Sequence, residues 1–210
     1  MSGTLLEQAV ICLKNGDVIA TPTESVFGLS CDPDNAAAVE KLLTLKHRDI
    51  TKGLILVSDD LSHLLPYIYP LTNMQQQKVL ATWPGPVTWL VPKAASLANW
   101  ISGEHDTVAV RVTAHPLLRQ LCAAFGKPLI STSANVSNAL PAKTADEVRM
   151  AFVNEKTLIR PSGILPCFPE KEILRSKDDR ILLYILDGNV GEEARPTQIR
   201  DLMTDHILRK

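Results

Sequence analysis

Five residues, Ser131-Thr132-Ser133-Ala134-Asn135, follow the apolar run Pro128-Leu129-Ile130. Three hydroxyls and an amide on small side chains therefore sit where a buried strand should end. Small side chains let a ligand approach the backbone, and hydroxyls with free N–H groups beside it suit phosphate or carboxylate oxygens. The competing reading is a Ser/Thr-rich turn that caps a strand. Three further segments place polar groups at the ends of apolar runs. In Thr21-Pro22-Thr23-Glu24-Ser25 the proline fixes the exit from a strand, and Thr23, Glu24 and Ser25 stand at its rim. A strand-to-loop turn with a helix cap is the alternative there. Lys46-His47-Arg48, with Lys52 close behind, precedes the apolar run from Gly53. Lys46 and Arg48 do not share a helix face, but at a frayed helix end they can converge on one anion. Cations also collect at helix C-termini for dipole reasons alone. In Thr107–Val112, alternation sets Val108, Val110 and Val112 on one face and Thr107, Ala109 and Arg111 on the other. Small Ala109 beside Arg111 leaves room for a carboxylate or phosphate bound bidentately. An exposed strand face with one Arg is the alternative.

Together these segments supply at least three cations and several hydroxyls, with no evident base or nucleophile. That is the inventory of a site that binds polyanions and works by positioning and charge neutralisation, as phosphoryl and nucleotidyl transfer require. The chain has neither G-x-x-x-x-G-K-[ST] nor G-x-G-x-x-G, so any nucleotide is held by another device. The lack of a G-x-S-x-G elbow weakens a hydrolase reading. His47, His63, His105, His115 and His206 show no H-x-x-x-H or H-E-x-x-H spacing, so no dedicated metal site is expected.

The positioning elements follow from periodicity and caps. Helices are predicted over Leu5–Lys14, stopped at Gly16, over Ala36–Leu45 with Asn35 as N-cap, and over Asn73–Trp83 before Pro84-Gly85-Pro86. Further helices are predicted over His115–Phe125, from the capping box at Thr144 to Phe152, and over Thr197–Met203. Strands are predicted at Val18–Ala20, Gly53–Val57, Val87–Val91, Thr107–Val112, Leu129–Thr132 and Ile181–Leu186. This alternation predicts a single α/β domain over residues 1–210 with a twisted, mostly parallel or mixed sheet flanked by helices.

The chain has 210 residues, 45% of them hydrophobic, enough for a substantial core. Lys+Arg 22 against Asp+Glu 23 gives a net charge of −1, which excludes a globally basic nucleic-acid coat but not a local basic cleft. Cys12, Cys31, Cys122 and Cys167 are far apart, and buried reduced thiols are expected. Met1-Ser2-Gly3-Thr4 carries no basic segment leading an apolar one, and no apolar run reaches membrane length. A cytoplasmic protein without membrane contact is the expectation.

P-T-E-S-V-F-G-L from Pro22, the K-x-R of Lys46 and Arg48, P-G-P-V-T from Pro84, T-V-A-V-R from Thr107 and S-T-S-A-N from Ser131 occur in the order of the YrdC-like family. The chain resembles that family's bacterial short-form threonylcarbamoyl-AMP synthases over about residues 5–150, and again more weakly at Ile185–Leu202. The resemblance implies a nucleotidyltransferase that joins L-threonine, bicarbonate and ATP, with Mg²⁺ carried by the ATP, into threonylcarbamoyl-AMP and pyrophosphate. The product feeds N6-threonylcarbamoylation of tRNA position 37 through downstream transfer proteins. A basic concave cavity is implied, with Lys46, Arg48, Ser133 and Asn135 as catalytic groups. Arg48, Lys52, Thr107, Ser133, Asn135 and Arg195 are implied on the ATP side, and Thr23, Arg111, Ser131 and Thr197 around threonine.

Three positions depart from the family pattern: Asp49 where proline is frequent, Asn138 where glycine is frequent, and residues 160–180, which read as a surface insertion. Asn at position 138 keeps the left-handed backbone region open. An RNA-binding maturation factor using the same cavity, without synthase activity, is the alternative function. The few aromatics, three Trp, three Tyr and four Phe, give that alternative little stacking surface. A carbamoyl-transfer domain of hydrogenase-maturation type is a third, but its zinc-finger cysteines and acylphosphatase-like segment are not visible in the sequence.

Overall fold

The computed structural model describes residues 4–154, 156–161, 180–193 and 197–209. Among the described residues, ten strands form one mixed sheet in the order β10-β9-β4-β5-β3-β6-β2-β1-β8-β7. They are β1 Val18–Pro22, β2 Phe27–Cys31, β3 Ile55–Ser58, β4 Val87–Pro92, β5 Thr107–Val112, β6 Leu129–Ser133, β7 Thr157–Pro161, β8 Ile181–Ile185, β9 Gln198–Asp201 and β10 Ile207–Arg209. The helices are α1 Leu5–Lys14, α2 Ala36–Lys46, α3 Asn73–Leu80, α4 Asn99–Ser102, α5 Pro116–Phe125 and α6 Ala145–Phe152. No helix among the described residues is long and apolar enough to cross a membrane.

Local chemistry sets the helix limits. Thr4 and Glu7 close a reciprocal capping box at the start of α1. Asn35 accepts from the Ala38 N–H at the start of α2, and His115 accepts from the Leu118 N–H ahead of Pro116 in α5. Gly126, at φ 83°, ends α5 in the left-handed region that lacks a Cβ penalty. Thr4→Ala is expected to lower stability by about 1 kcal/mol, read as a small drop in melting temperature without loss of activity.

Two apolar cores cover the two sheet faces. One packs α2, α3 and α6 on Leu29, Leu56, Trp89, Val108, Val110 and Ile130. The other packs α1 and α5 on Ile19, Val57, Leu129 and Tyr184. Register extends this second face. Val57 stands between Leu129 and Arg111, and Ile55 between Ser131 and Ala109. Ser131 in turn faces Ser30, and Ser133 faces Gly28. Paired residues share a face, so on β6 the same face runs from Leu129, under the helices, to Ser131 and Ser133. The helical cover stops where the hydroxyls begin.

Thr23–Ser25 stands at a strand exit, as read, but the loop leads into a second strand, which was not forecast, and not into the helix weighed as the alternative. The Thr23 N–H and Oγ1 both donate to the Val26 carbonyl, at 3.0 and 2.7 Å, and close the hairpin between β1 and β2. β2 then pairs β1 on one side and β6 on the other. Likewise Thr197–Met203 is no helix. Gln198–Asp201 lies parallel to β4 as β9, and the Asp201 carboxylate turns the chain by accepting the Met203 and Thr204 N–H groups. Four residues carry no period of their own, and the open edge of β4 decides their state. The strand forecast at Gly53 begins at Ile55, because Gly53 ends a 3-10 turn at φ 64°.

Candidate active site

α2 ends at Lys46, and His47 follows in the left-handed region at φ 49°, its N–H donating to the Leu43 and Thr44 carbonyls. That one residue sends Lys46 and Arg48 to different surroundings. Lys46 is 2% exposed. Its Nζ donates to the Ser133 carbonyl, to the Asn135 carbonyl at 2.9 Å and to Asn135 Oδ1 at 3.4 Å. Ser133 Oγ also donates to Asn135 Oδ1, at 2.6 Å. In return, Ser137 donates to the Lys46 carbonyl through N–H and hydroxyl, at 2.9 and 2.8 Å. The K-x-R and S-x-N segments are thus bound to one another by a buried network. Burial first, then the Arg48 charge, push the Lys46 ammonium down to about 8. Asn138, at φ 71°, adopts the left-handed geometry left open by its identity.

Arg48 donates from Nη2 to the Gly53 carbonyl at 2.9 Å, and its Nε is buried without a hydrogen-bond partner. Asp49 turns away from this pair. Its carboxylate accepts the Thr51 N–H and hydroxyl, both at 2.9 Å, and these bonds hold it below the usual carboxylate range.

On the far side of the same sheet face, Arg111 is buried, with Nη1 donating to Thr197 Oγ1 at 2.9 Å and Nη2 3.3 Å from Glu24 Oε2. Burial lowers the Arg111 pKa, and Glu24 works against that shift. Arg209, from the last strand, donates from Nε and Nη2 to the Thr197 carbonyl at 2.9 and 2.7 Å.

A cavity of ≈ 530 Å³ lies between these groups, over the hydroxyl-bearing part of the sheet face. Among the residues assigned from the sequence, Thr23, Arg48, Lys52, Thr107, Arg111, Ser131, Ser133 and Thr197 line it. Lys46 and Asn135 do not. They sit behind Ser133 and fix the loop that carries it. Arg195 lies outside the described residues, as does most of the segment 160–180. Arg209 and His105 also line the cavity, and sequence reasoning missed both. The signal for Arg209 was weak, a single cation in the three-residue strand Ile207–Arg209. No Asp or Glu is among the described lining residues. Nor do the described residues bring three or more His, Cys, Asp or Glu together as a metal site.

Arg111 is paired with Val57, whereas Arg48 and Lys52 meet the chain at Gly53, four residues earlier. Four residues of chain span at most roughly 13–14 Å. The cavity therefore offers cations at two ends and hydroxyls between, a geometry for a ligand anionic at two separated points.

Comparison with known proteins gives the same layout a lineage. The chain is 44% identical over 206 residues to a threonylcarbamoyl-AMP synthase of Vibrio parahaemolyticus, covering 97% of both chains. It is 52% identical over 146 residues to a protein of the same name from Pseudoalteromonas atlantica, covering 69% of this chain and 78% of that one. Among solved structures, P. abyssi Sua5 in complex with L-threonine superposes with a TM-score of 0.74 at 23% identity. That match covers 93% of this chain but only 50% of Sua5, so the chain spans about half its length. E. coli YciO superposes with a TM-score of 0.71 at 22% identity over 100% of this chain and 96% of its own, which supports the fold. The Sua5/YciO/YrdC family profile, described as "Telomere recombination", matches residues 12–167, the stretch holding the hairpin, the K-x-R turn and the S-x-N loop, and the chain belongs to that family.

Proposed function

We propose that this chain is a threonylcarbamoyl-AMP synthase, a nucleotidyltransferase that makes threonylcarbamoyl-AMP and pyrophosphate from L-threonine, bicarbonate and ATP. The observation that carries the reading is the single cavity with Arg111 at one end and Arg48 with Lys52 at the other. The near full-length likeness to proteins of that name supports it.

The chemistry asks little covalent work of the protein. The threonine amine and bicarbonate condense to a carbamate with loss of water. A carbamate oxygen then attacks the α-phosphorus of ATP, and pyrophosphate leaves. Arg111 binds the threonine carboxylate, with Thr23, Ser131 and Thr197 around the amino acid. Arg48, Lys52, Thr107 and Ser133 face the nucleotide, where the two cations neutralise charge on the phosphates as it develops. Lys46 and Asn135 hold Ser133 and its loop in register with Arg48. Mg²⁺ would enter with ATP as part of the substrate, since the described lining has no Asp or Glu to hold it. The product then passes to the proteins that modify position 37 of tRNA.

The direct test incubates the pure protein with ATP, Mg²⁺, bicarbonate and L-threonine and looks by mass spectrometry for threonylcarbamoyl-AMP, with serine in a parallel sample. Product with threonine is the expected result. A folded, ATP-binding protein that yields none would overturn the reading, and salt-dependent RNA binding would then point to the maturation-factor alternative.

Gly28 tests the amino-acid end. A Cβ there would stand 3.1 Å from Ser131 Oγ and 3.2 Å from Thr23 Cγ2. Gly28→Ala is expected to displace both side chains, cost about 1–3 kcal/mol of stability and weaken L-threonine binding more than ATP binding. Calorimetric titration of each substrate checks this.

A further inference from the structure

Glu24 is 5% exposed and is not among the cavity-lining residues. A carboxylate so buried calls for a reason, since burial of a charge costs several kcal/mol unless partners compensate. Its Oε1 accepts the Thr113 hydroxyl at 2.6 Å and the Ala114 N–H at 3.2 Å. Thr113 is itself fixed, its N–H donating to the Ser58 carbonyl at 2.9 Å at the end of β3. The backbone of Glu24 is pinned as well. Its carbonyl accepts the Glu193 N–H at 3.1 Å, and the preceding Thr23 carbonyl accepts the Gly191 N–H at 2.9 Å. A Cβ on Gly191 would fall 2.6 Å from the Glu24 oxygen, so only glycine lets this strap lie so close.

Everything about Glu24 is therefore immobilised except Oε2, which accepts no well-aligned hydrogen bond and stands 3.3 Å from Arg111 Nη2. The opposite side of the guanidinium is fixed by Thr197. Arg111 Nε is left buried and unpartnered. An arginine with free rotamers would swing in a cavity of this size. Here two fixed groups set the plane of the guanidinium and leave donors over for a ligand.

We infer that Glu24 is a positioning residue, which orients Arg111 and through it the carboxylate of the amino-acid substrate. The inference rests on the synthase reading. Glu24 touches no substrate, and it adds to function only through the angle and the charge balance of Arg111.

The experiment measures KM for L-threonine and for ATP separately in Glu24→Gln and Glu24→Ala, with melting temperatures and the unmodified protein alongside. Gln keeps the volume and the acceptor for Thr113 but removes the charge facing Arg111. Expected is a rise in KM for L-threonine on the order of tenfold in Glu24→Gln and more in Glu24→Ala, with KM for ATP within about twofold. A threonine KM that stays put, or both KM values rising together, would overturn the positioning role. Should both variants fail to fold, Thr113→Val removes the hydroxyl holding Oε1 and carries the same comparison. If the unmodified protein makes no product and binds no L-threonine, the synthase reading and this inference fall together. If it does both and Glu24→Gln matches it, only the inference falls.

Discussion

Lys46→Met is expected to lower kcat/KM by about 10²–10³-fold while shifting the melting temperature little. Two opposed effects explain the small stability change. The Ser133 and Asn135 carbonyls lose a buried donor, at a cost of about 1–3 kcal/mol per unsatisfied group. Against that, the folded protein no longer holds a buried ammonium beside Arg48, whose strain shows in the Lys46 pKa brought down to about 8. Activity has no such compensation, because Ser133 and its loop lose the tie to the K-x-R turn and the cavity loses a nearby positive charge.

The same shift fixes a pH signature. Unfolded, Lys46 titrates at its ordinary value near 10.5; folded, near 8. Between those values the unfolded state binds more protons, so stability rises with pH through that window. Below about 8 the burial penalty is present in full. Relative to Lys46→Met, the unmodified protein should gain stability between pH 8 and 10.5, while its kcat/KM falls along a limb near pH 8. A variant that retained the limb would assign it to another group, and equal activity in both proteins would remove Lys46 from the mechanism.

Signals confined to a few neighbouring residues were legible from sequence. Asn35, Gly126 and the Thr144 cap each announce a helix end through their own backbone bonds, and α1 runs over Leu5–Lys14 as read; the Thr4–Glu7 box and the His115 cap are equally local and were overlooked. Alternation in Thr107–Val112 placed Ala109 and Arg111 together on the cavity side. What stayed hidden depends on distant partners. β2 is a strand because β6, about a hundred residues on, pairs with it at Gly28–Ser133. β9 exists because β4 has an open edge. The inward turn of Lys46 depends on a left-handed His47, a conformation that a non-glycine residue does not advertise. Arg209 reaches the cavity only through the β9–β10 hairpin, and no three-residue strand carries a period to read.

Arg111→Met is expected to destabilise the protein by about 3–5 kcal/mol, because it strands the Glu24 carboxylate in the interior without its cation. For a domain of this size that is a fall of about 6–20 °C in melting temperature. L-threonine binding should be lost with it, since Arg111 is the group proposed to hold the substrate carboxylate, and Arg209, which also reaches Thr197, is tied to the Thr197 carbonyl. A fall in stability alone would not separate the ion pair from the packing of the aliphatic stem. The double variant Arg111→Met with Glu24→Gln makes the separation. It keeps both volumes, keeps an acceptor for Thr113, and leaves no unpaired charge. Its melting temperature should recover most of the loss, while L-threonine remains unbound in calorimetric titration. Recovery of stability without recovery of binding locates the carboxylate site at the guanidinium. If stability does not recover, the cost lies in packing around Arg111 and not in the buried carboxylate; if binding returns with it, the carboxylate of the substrate is held elsewhere in the cavity.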